Sequence, residues 1–191
     1  MPSNFRKHER LHAGACAAVL FVCTALAFEL SAQTARPTQV EQIAPRLEDV
    51  STIDGIIKAY YETITGPVGK PREWARDRTL YLPSIRLISL SMKEGKPVAD
   101  IMSHQEYVDG SNDFFLKNGF FEKEIHRVTH RFGNMVQVFS TYEARNTADG
   151  PVIARGINGL QLYFDGVRWW ITAAMWDDER PENPIPKEFL P

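Results

Sequence analysis

The sequence predicts a single α+β domain, with helices first and an antiparallel sheet after them. Three observations lead there. Ile53, Ile56, Ile57, Tyr60, Tyr61 and Ile64 recur at helical intervals. From Phe120 onward the period changes to two, and turn residues punctuate that half at Gly133-Asn134, Thr147 to Gly150 and Asp165-Gly166. A chain of 191 residues is the size of one ordinary domain and buries a core without covalent staples.

Residues 1–32 read as a secretory signal peptide. Arg6, Lys7 and Arg10 are followed by an apolar run over residues 13–28 and a small-residue exit, Leu30-Ser31-Ala32. The run is shorter than the ~20 residues a bilayer requires, and Glu29 follows it directly, so no permanent membrane span is expected. Cleavage after Ala27 or after Ala32 fits, and either leaves an exported protein, periplasmic or secreted. Both cysteines, Cys16 and Cys23, fall in this segment, which leaves the mature chain without a disulfide, a thiolate or a cysteine metal site. With 22 Lys+Arg against 24 Asp+Glu the net charge is −2, which does not suit a nucleic-acid partner.

Residues 33–50 hold two prolines and no sustained periodicity, the pattern of a flexible leader. The domain proper is expected over residues 51–179. Ser51 and Asp54 have capping-box spacing ahead of the first helix, and Gly66-Pro67 ends it. A second, short helix is expected from Arg72 to about Leu80, with Trp74 inward and Pro83 as its stop. Two short strands around Lys93-Glu94-Gly95-Lys96-Pro97 form a hairpin. Ser103 and Glu106 cap a third helix, interrupted or bent near Gly110 and closed by Gly119. Four long strands follow, and residues 180–191 form a proline-rich tail that lies extended on the surface.

This order, with Phe139-Ser140-Thr141-Tyr142-Glu143, Arg155-Gly156-Ile157-Asn158-Gly159-Leu160-Gln161-Leu162 and Asp165-Gly166-Val167-Arg168-Trp169-Trp170-Ile171, resembles the NTF2-like superfamily, its SnoaL-like bacterial branch most. The resemblance implies a cone in which about three N-terminal helices wrap a curved mixed or antiparallel sheet. Its members include ketosteroid isomerases, polyketide cyclases, dehydratases and epoxide hydrolases beside non-catalytic binding domains, so it implies shape and leaves activity open. The isomerases carry a tyrosine on the first helix, matched by Tyr60 or Tyr61. Their carboxylate base on an early strand has no counterpart between Arg86 and Ser91.

Strand parity proposes which side chains share a pocket. A two-residue turn at Gly133-Asn134 sets His126 and His130 on one face with Gln137, Thr141 and Glu143. A two-residue turn at Asp165-Gly166 groups Asn158, Leu160 and Leu162 with Trp169, Ile171, Ala173 and Met175. A four-residue middle loop, pairing Asn146 with Pro151, would join these faces, and a one-residue bulge there would swap them. On this reading the concave side presents His126, His130 and Glu143 as acid–base groups. Tyr60, Tyr61, Trp74, Gln137, Thr141 and Asn158 then contact a ligand. The other face, with Tyr142, Trp170 and Trp176, is too apolar for solvent and is expected to form a homodimer, or to lie under the proline-rich tail.

No metal site, glycine-rich phosphate loop or Gly-x-Ser-x-Gly elbow occurs, and no cofactor is expected. Two functions remain beside a structural or assembly role in the envelope, in which the apolar sheet face meets a different protein. One is an exported module that binds a small apolar or aromatic molecule. The other is a cofactor-free lyase or isomerase of dehydratase or cyclase type.

Overall fold

A computed structural model describes residues 37–191; the expected signal segment, its two cysteines and both cleavage points lie outside them. Helix α1 (Leu47–Val50) precedes α2 (Ile53–Ile64). Helical structure therefore begins inside the expected leader, where Asp49 is buried on Arg76, whose Nε and Nη2 donate to its two oxygens at 2.8 and 2.7 Å. The cap of α2 is Thr52, which accepts from the Gly55 N–H at 2.9 Å, rather than Ser51.

Helix α3 (Trp74–Arg78) leads to the hairpin β1 (Leu87–Lys93) and β2 (Lys96–Met102). Its turn is two residues, Glu94 and Gly95, both at positive φ, and so tighter than expected. Helix α4 (His104–Asn118) carries the full capping box of Ser103 and Glu106. It runs through Gly110 uninterrupted. One interior glycine costs only about 1 kcal/mol relative to alanine, and the cap and the buried Val108 and Phe115 hold the helix on either side.

Strands β3 (Phe121–Phe132), β4 (Met135–Arg145), β5 (Ala154–Phe164) and β6 (Trp169–Asp178) form the meander. The six strands lie in the order β2-β1-β6-β5-β4-β3, and β1 runs parallel to β6, so the sheet is mixed. Phe132 pairs with Met135 across the expected two-residue turn. Phe164 pairs with Trp169 rather than Val167, because Asp165 accepts from the N–H groups of Val167 and Arg168, both at 2.8 Å, and so closes a four-residue loop.

The middle connection overturns the parity reading. Ala144 pairs with Ala154, not Asn146 with Pro151. The turn at Thr147 to Gly150 does form, with Gly150 N donating to Thr147 O at 3.0 Å, but Pro151 has no N–H for a ladder and pairing resumes only at Ile153. That one-residue shift swaps the faces. Two irregularities change them further, at Glu124/His126 on β3 and opposite Gln161/Leu162, where Thr172 is the extra residue of β6. The helix-covered face therefore carries Val136, Val138, Ser140 and Tyr142 with Asn158, Leu160 and Leu162. From β6 it takes Trp169, Ile171, Ala174 and Trp176. His126, His130, Gln137, Thr141 and Glu143 lie on the opposite, outer face. Tyr142 and Trp176, expected outside, are inside.

The core sits between α2 and this inner face, with Ile56, Ile57 and Leu80 against Val138, Leu160 and Ile171. A second cluster of Ile64, Trp74, Val108 and Phe115 seats α4. The tail crosses the outer face: a 3-10 turn (Lys187–Phe189) sets the Phe189 ring 5.3 Å from Phe139, and Thr141 Oγ1 donates to Phe189 O at 2.6 Å. Among the described residues no helix is long and apolar enough to cross a membrane.

Candidate functional site

Between the inner face and helices α2 and α4 lies a cavity of about 250 Å³. Helix α2 contributes Tyr60 and Ile64, its last residue and the one four before it, so both project from one side of its last turn. Helix α4 contributes Tyr107, Ser111 and Phe115, spaced by four and therefore on one stripe. The sheet supplies Glu122, Tyr142, Asn158, Trp176 and Asp178, one or two from each strand of the meander. The walls are thus mainly aromatic. Tyr107 meets Trp176 edge-on at 6.0 Å, and Phe115 stacks on Phe120 at 4.7 Å.

The polar groups converge on Asn158, which is 2% exposed. Tyr60 donates its hydroxyl to Asn158 Oδ1 at 3.1 Å, and Asn158 Nδ2 donates to Tyr61 Oη at 3.1 Å and Glu122 Oε1 at 3.3 Å. Tyr61 and Ser140 share a 2.6 Å hydrogen bond, and Ser140 donates to Glu124 Oε1 at 2.6 Å. Glu124 in turn holds Arg127, which reaches Asp54 at the surface. Across the cavity the Tyr142 hydroxyl donates to Asp178. Gly156 makes that placement possible, because a Cβ there would collide with the Tyr142 hydroxyl and the Asp177 carbonyl.

Burial pushes the Glu122 carboxyl up to about 8, with the Asp178 charge adding to the effect and the Asn158 amide opposing it. At neutral pH this group is mainly protonated. Burial also raises Tyr60, Tyr107 and Tyr142, so all three remain hydroxyl donors. The site therefore combines an apolar enclosure, neutral donors and one carboxyl able to give or take a proton near physiological pH.

Of the residues expected to form the site, Tyr60 and Asn158 line the cavity, and Tyr61 stands behind them through its bond to Asn158. Trp74 is structural here: its Nε1 donates to Asn112 at 2.8 Å and its ring stacks on Phe115. Thr141 is committed to the tail, and Glu143 is paired with Arg145 at 2.7 Å on the outer face. His126 and His130 stand opposite Thr141 and Gln137 on that same outer face, away from the cavity. Sequence reasoning missed Glu122, Tyr107 and Asp178. Simple alternation puts Glu122 and His126 on one face, and the irregularity between Glu124 and His126 separates them. Among the described residues no three His, Cys, Asp or Glu side chains are grouped to hold a metal ion.

No protein-family model and no curated protein sequence matches the chain. Among solved structures it is similar to a protein of unknown function with a cystatin-like fold from Nostoc punctiforme, at 8% identity and a TM-score of 0.52, over 68% of this chain and 90% of that one. It is also similar to an NTF-2 like protein of unknown function from Silicibacter pomeroyi, at 12% identity and a TM-score of 0.43, over 68% and 94% of the two chains. An NTF2-like protein of unknown function from Shewanella baltica matches at 13% identity and a TM-score of 0.44, over 67% and 91%. The Nostoc likeness is one of fold.

Proposed function

We propose that the chain is an exported NTF2-like protein of the SnoaL-like kind, and that its cavity binds a small apolar or aromatic molecule carrying a hydroxyl or carbonyl oxygen. The observation that carries this reading is the convergence of Tyr60, Asn158 and Glu122, from three separate elements, on an aromatic-walled enclosure. Ligand pockets combine bulk burial with a few orienting polar groups in this way. At about 250 Å³ the cavity lies just below the usual range of roughly 300–1,000 Å³, which favours a molecule of one or two rings over a larger one.

Native mass spectrometry of the protein purified from its own cell envelope, followed by thermal-shift measurements with hydroxylated aromatics, tests this reading. Such compounds should raise Tm, and Asn158→Leu should remove the effect. Equal shifts in the Asn158→Leu protein would place binding elsewhere.

A second reading, cofactor-free acid–base catalysis of a dehydration or isomerisation, draws support from Glu122. A desolvated carboxyl titrating at about 8 is matched to proton transfer at neutral pH. Here Glu122 takes the role first given to His126 or His130, with Tyr60 holding the substrate oxygen. Glu122→Gln should then abolish turnover while binding persists; a variant that still turns over would remove Glu122 from the chemistry.

Association into a homodimer would use the outer face, where Phe132, Met135, Tyr163 and Met175 are exposed. A monomer in sedimentation at micromolar concentration would argue against it.

A further inference from the structure

A second cleft, of about 370 Å³, lies outside the cavity, between the chain ahead of α1 and the start of β6. Arg168 stands in its wall. This residue is only 9% exposed, yet its bonds go to two backbone carbonyls, from Nη2 to Thr79 O and from Nε to Trp169 O, and among the described residues it has no ion pair. The Trp170 ring covers one face of its guanidinium at 3.7 Å. The carboxylate of its own turn, Asp165, is engaged by the N–H groups of Val167 and Arg168 and by Trp170 Nε1.

A second arginine, Arg78, lines the same cleft and is also without an ion pair among the described residues. His104 completes the polar wall. Its Nε2 is fixed at 2.9 Å from the buried Asp77, and its Nδ1 has no partner. Glu41 is the carboxylate of the lining, and it pairs with neither arginine. Beside its two carbonyls and the Trp170 ring, Arg168 feels the charge of Asp165, but no carboxylate pairs with it directly, and burial outweighs Asp165 and lowers the Arg168 pKa. An anion in the cleft would supply the missing charge.

We propose that this cleft is a second ligand site, which takes a small organic anion whose carboxylate or phosphate meets Arg78 and Arg168 and whose apolar body lies against Ile43 and Pro45. Planar guanidinium forks suit these anions, because they offer two parallel donors to two oxygens. The site does not depend on what the inner cavity binds.

Isothermal titration calorimetry of the full chain at low salt tests it with three probes of similar shape: benzoate, phenyl phosphate and the uncharged benzyl alcohol. At least one anion should bind through the two arginines, while any binding of the alcohol, which suits the inner cavity, should be the same in Arg78→Met, and the tighter of the two anions assigns the anionic group. Arg78→Met and Arg168→Met should each weaken binding by about tenfold or more, and Arg168→Lys should lose less than Arg168→Met. Arg78 is exposed, so its variant remains informative if Arg168→Met fails to fold. Glu122→Gln, which alters the inner cavity, should leave the affinity unchanged. Three results would overturn the proposal: neither anion binds, Arg78→Met weakens the alcohol as much as benzoate, or a folded Arg78→Met protein binds both anions like the unaltered chain. An affinity that falls with Glu122→Gln as far as with Arg78→Met would also overturn it, by moving the anion into the cavity.

Discussion

Asp77 and Glu122 are both carboxylates turned toward the interior, and their surroundings differ in what they supply. Asp77 is fully buried and accepts from Thr63 Oγ1 at 2.8 Å and Tyr81 Oη at 3.2 Å, with His104 Nε2 at 2.9 Å on its other oxygen. Four separate segments meet on it: α2, α3, the chain after α3 and α4. Glu122 has one amide, Asn158 Nδ2 at 3.3 Å, and otherwise faces aromatic walls. A carboxylate ringed by donors is an anchor, and one left among apolar groups becomes a proton carrier. Bonding partners, more than depth, separate a structural acid from a chemical one here.

Four experiments bear on that contrast, from the largest expected effect to the smallest. Asp77→Asn keeps the shape but turns an oxygen into a donor facing other donors. It should cost about 3 kcal/mol in urea denaturation, and a loss below about 1 kcal/mol would remove Asp77 from the role of anchor. Asn158→Ala should cost about 2 kcal/mol, since it leaves Tyr60 without its acceptor. It should also push the Glu122 titration higher, because the opposing hydrogen bond is gone; a carbon-detected NMR titration of the Glu122 carboxyl reads this directly.

Glu122→Gln addresses pH. The folded-state pKa lies above the unfolded one, so between about pH 4.5 and 8 the folded state binds the extra proton, and stability falls as pH rises through that window. Above about 8 the curve should level. The Gln variant should match the unaltered protein within about 1 kcal/mol at pH 5 and lack that fall, and parallel curves for the two proteins would contradict the assignment. Thr141→Val, on the outer face, removes only the bond to the Phe189 carbonyl. It should cost about 1 kcal/mol and leave the pH curve untouched.

The contrast also marks what the sequence revealed. Strand content, the position of both end turns of the meander, though not the loop length at Asp165-Gly166, and the helical stripe that holds Tyr60 and Tyr61 follow from local rules, because periodicity and turn chemistry act within a few residues. Asn158 was recognisable as a polar residue among apolar neighbours. Glu122 was not, since its orientation depends on a register irregularity three residues downstream, and no residue near Ile125 signals an insertion. Pro151 was the clue to the middle connection: a residue without an N–H cannot resume a ladder, so the four-residue loop that would have sent the histidines inward was excluded by its own last member.

The sheet order has a kinetic consequence. β3 to β6 pair with their sequence neighbours and can zip up one hairpin at a time, but β1 finds its place only beside the last strand, where Leu87 meets Ala174. Closing that long loop is entropically slow, and pairings of high sequence separation form late. In pulse-labelled hydrogen exchange the amides of the meander should be protected before those of Leu87, Ile88 and Ser89. Until they are, the free edge of β6 is open to any other strand, and the seam between the first and last strands is where this chain is most exposed to misassembly.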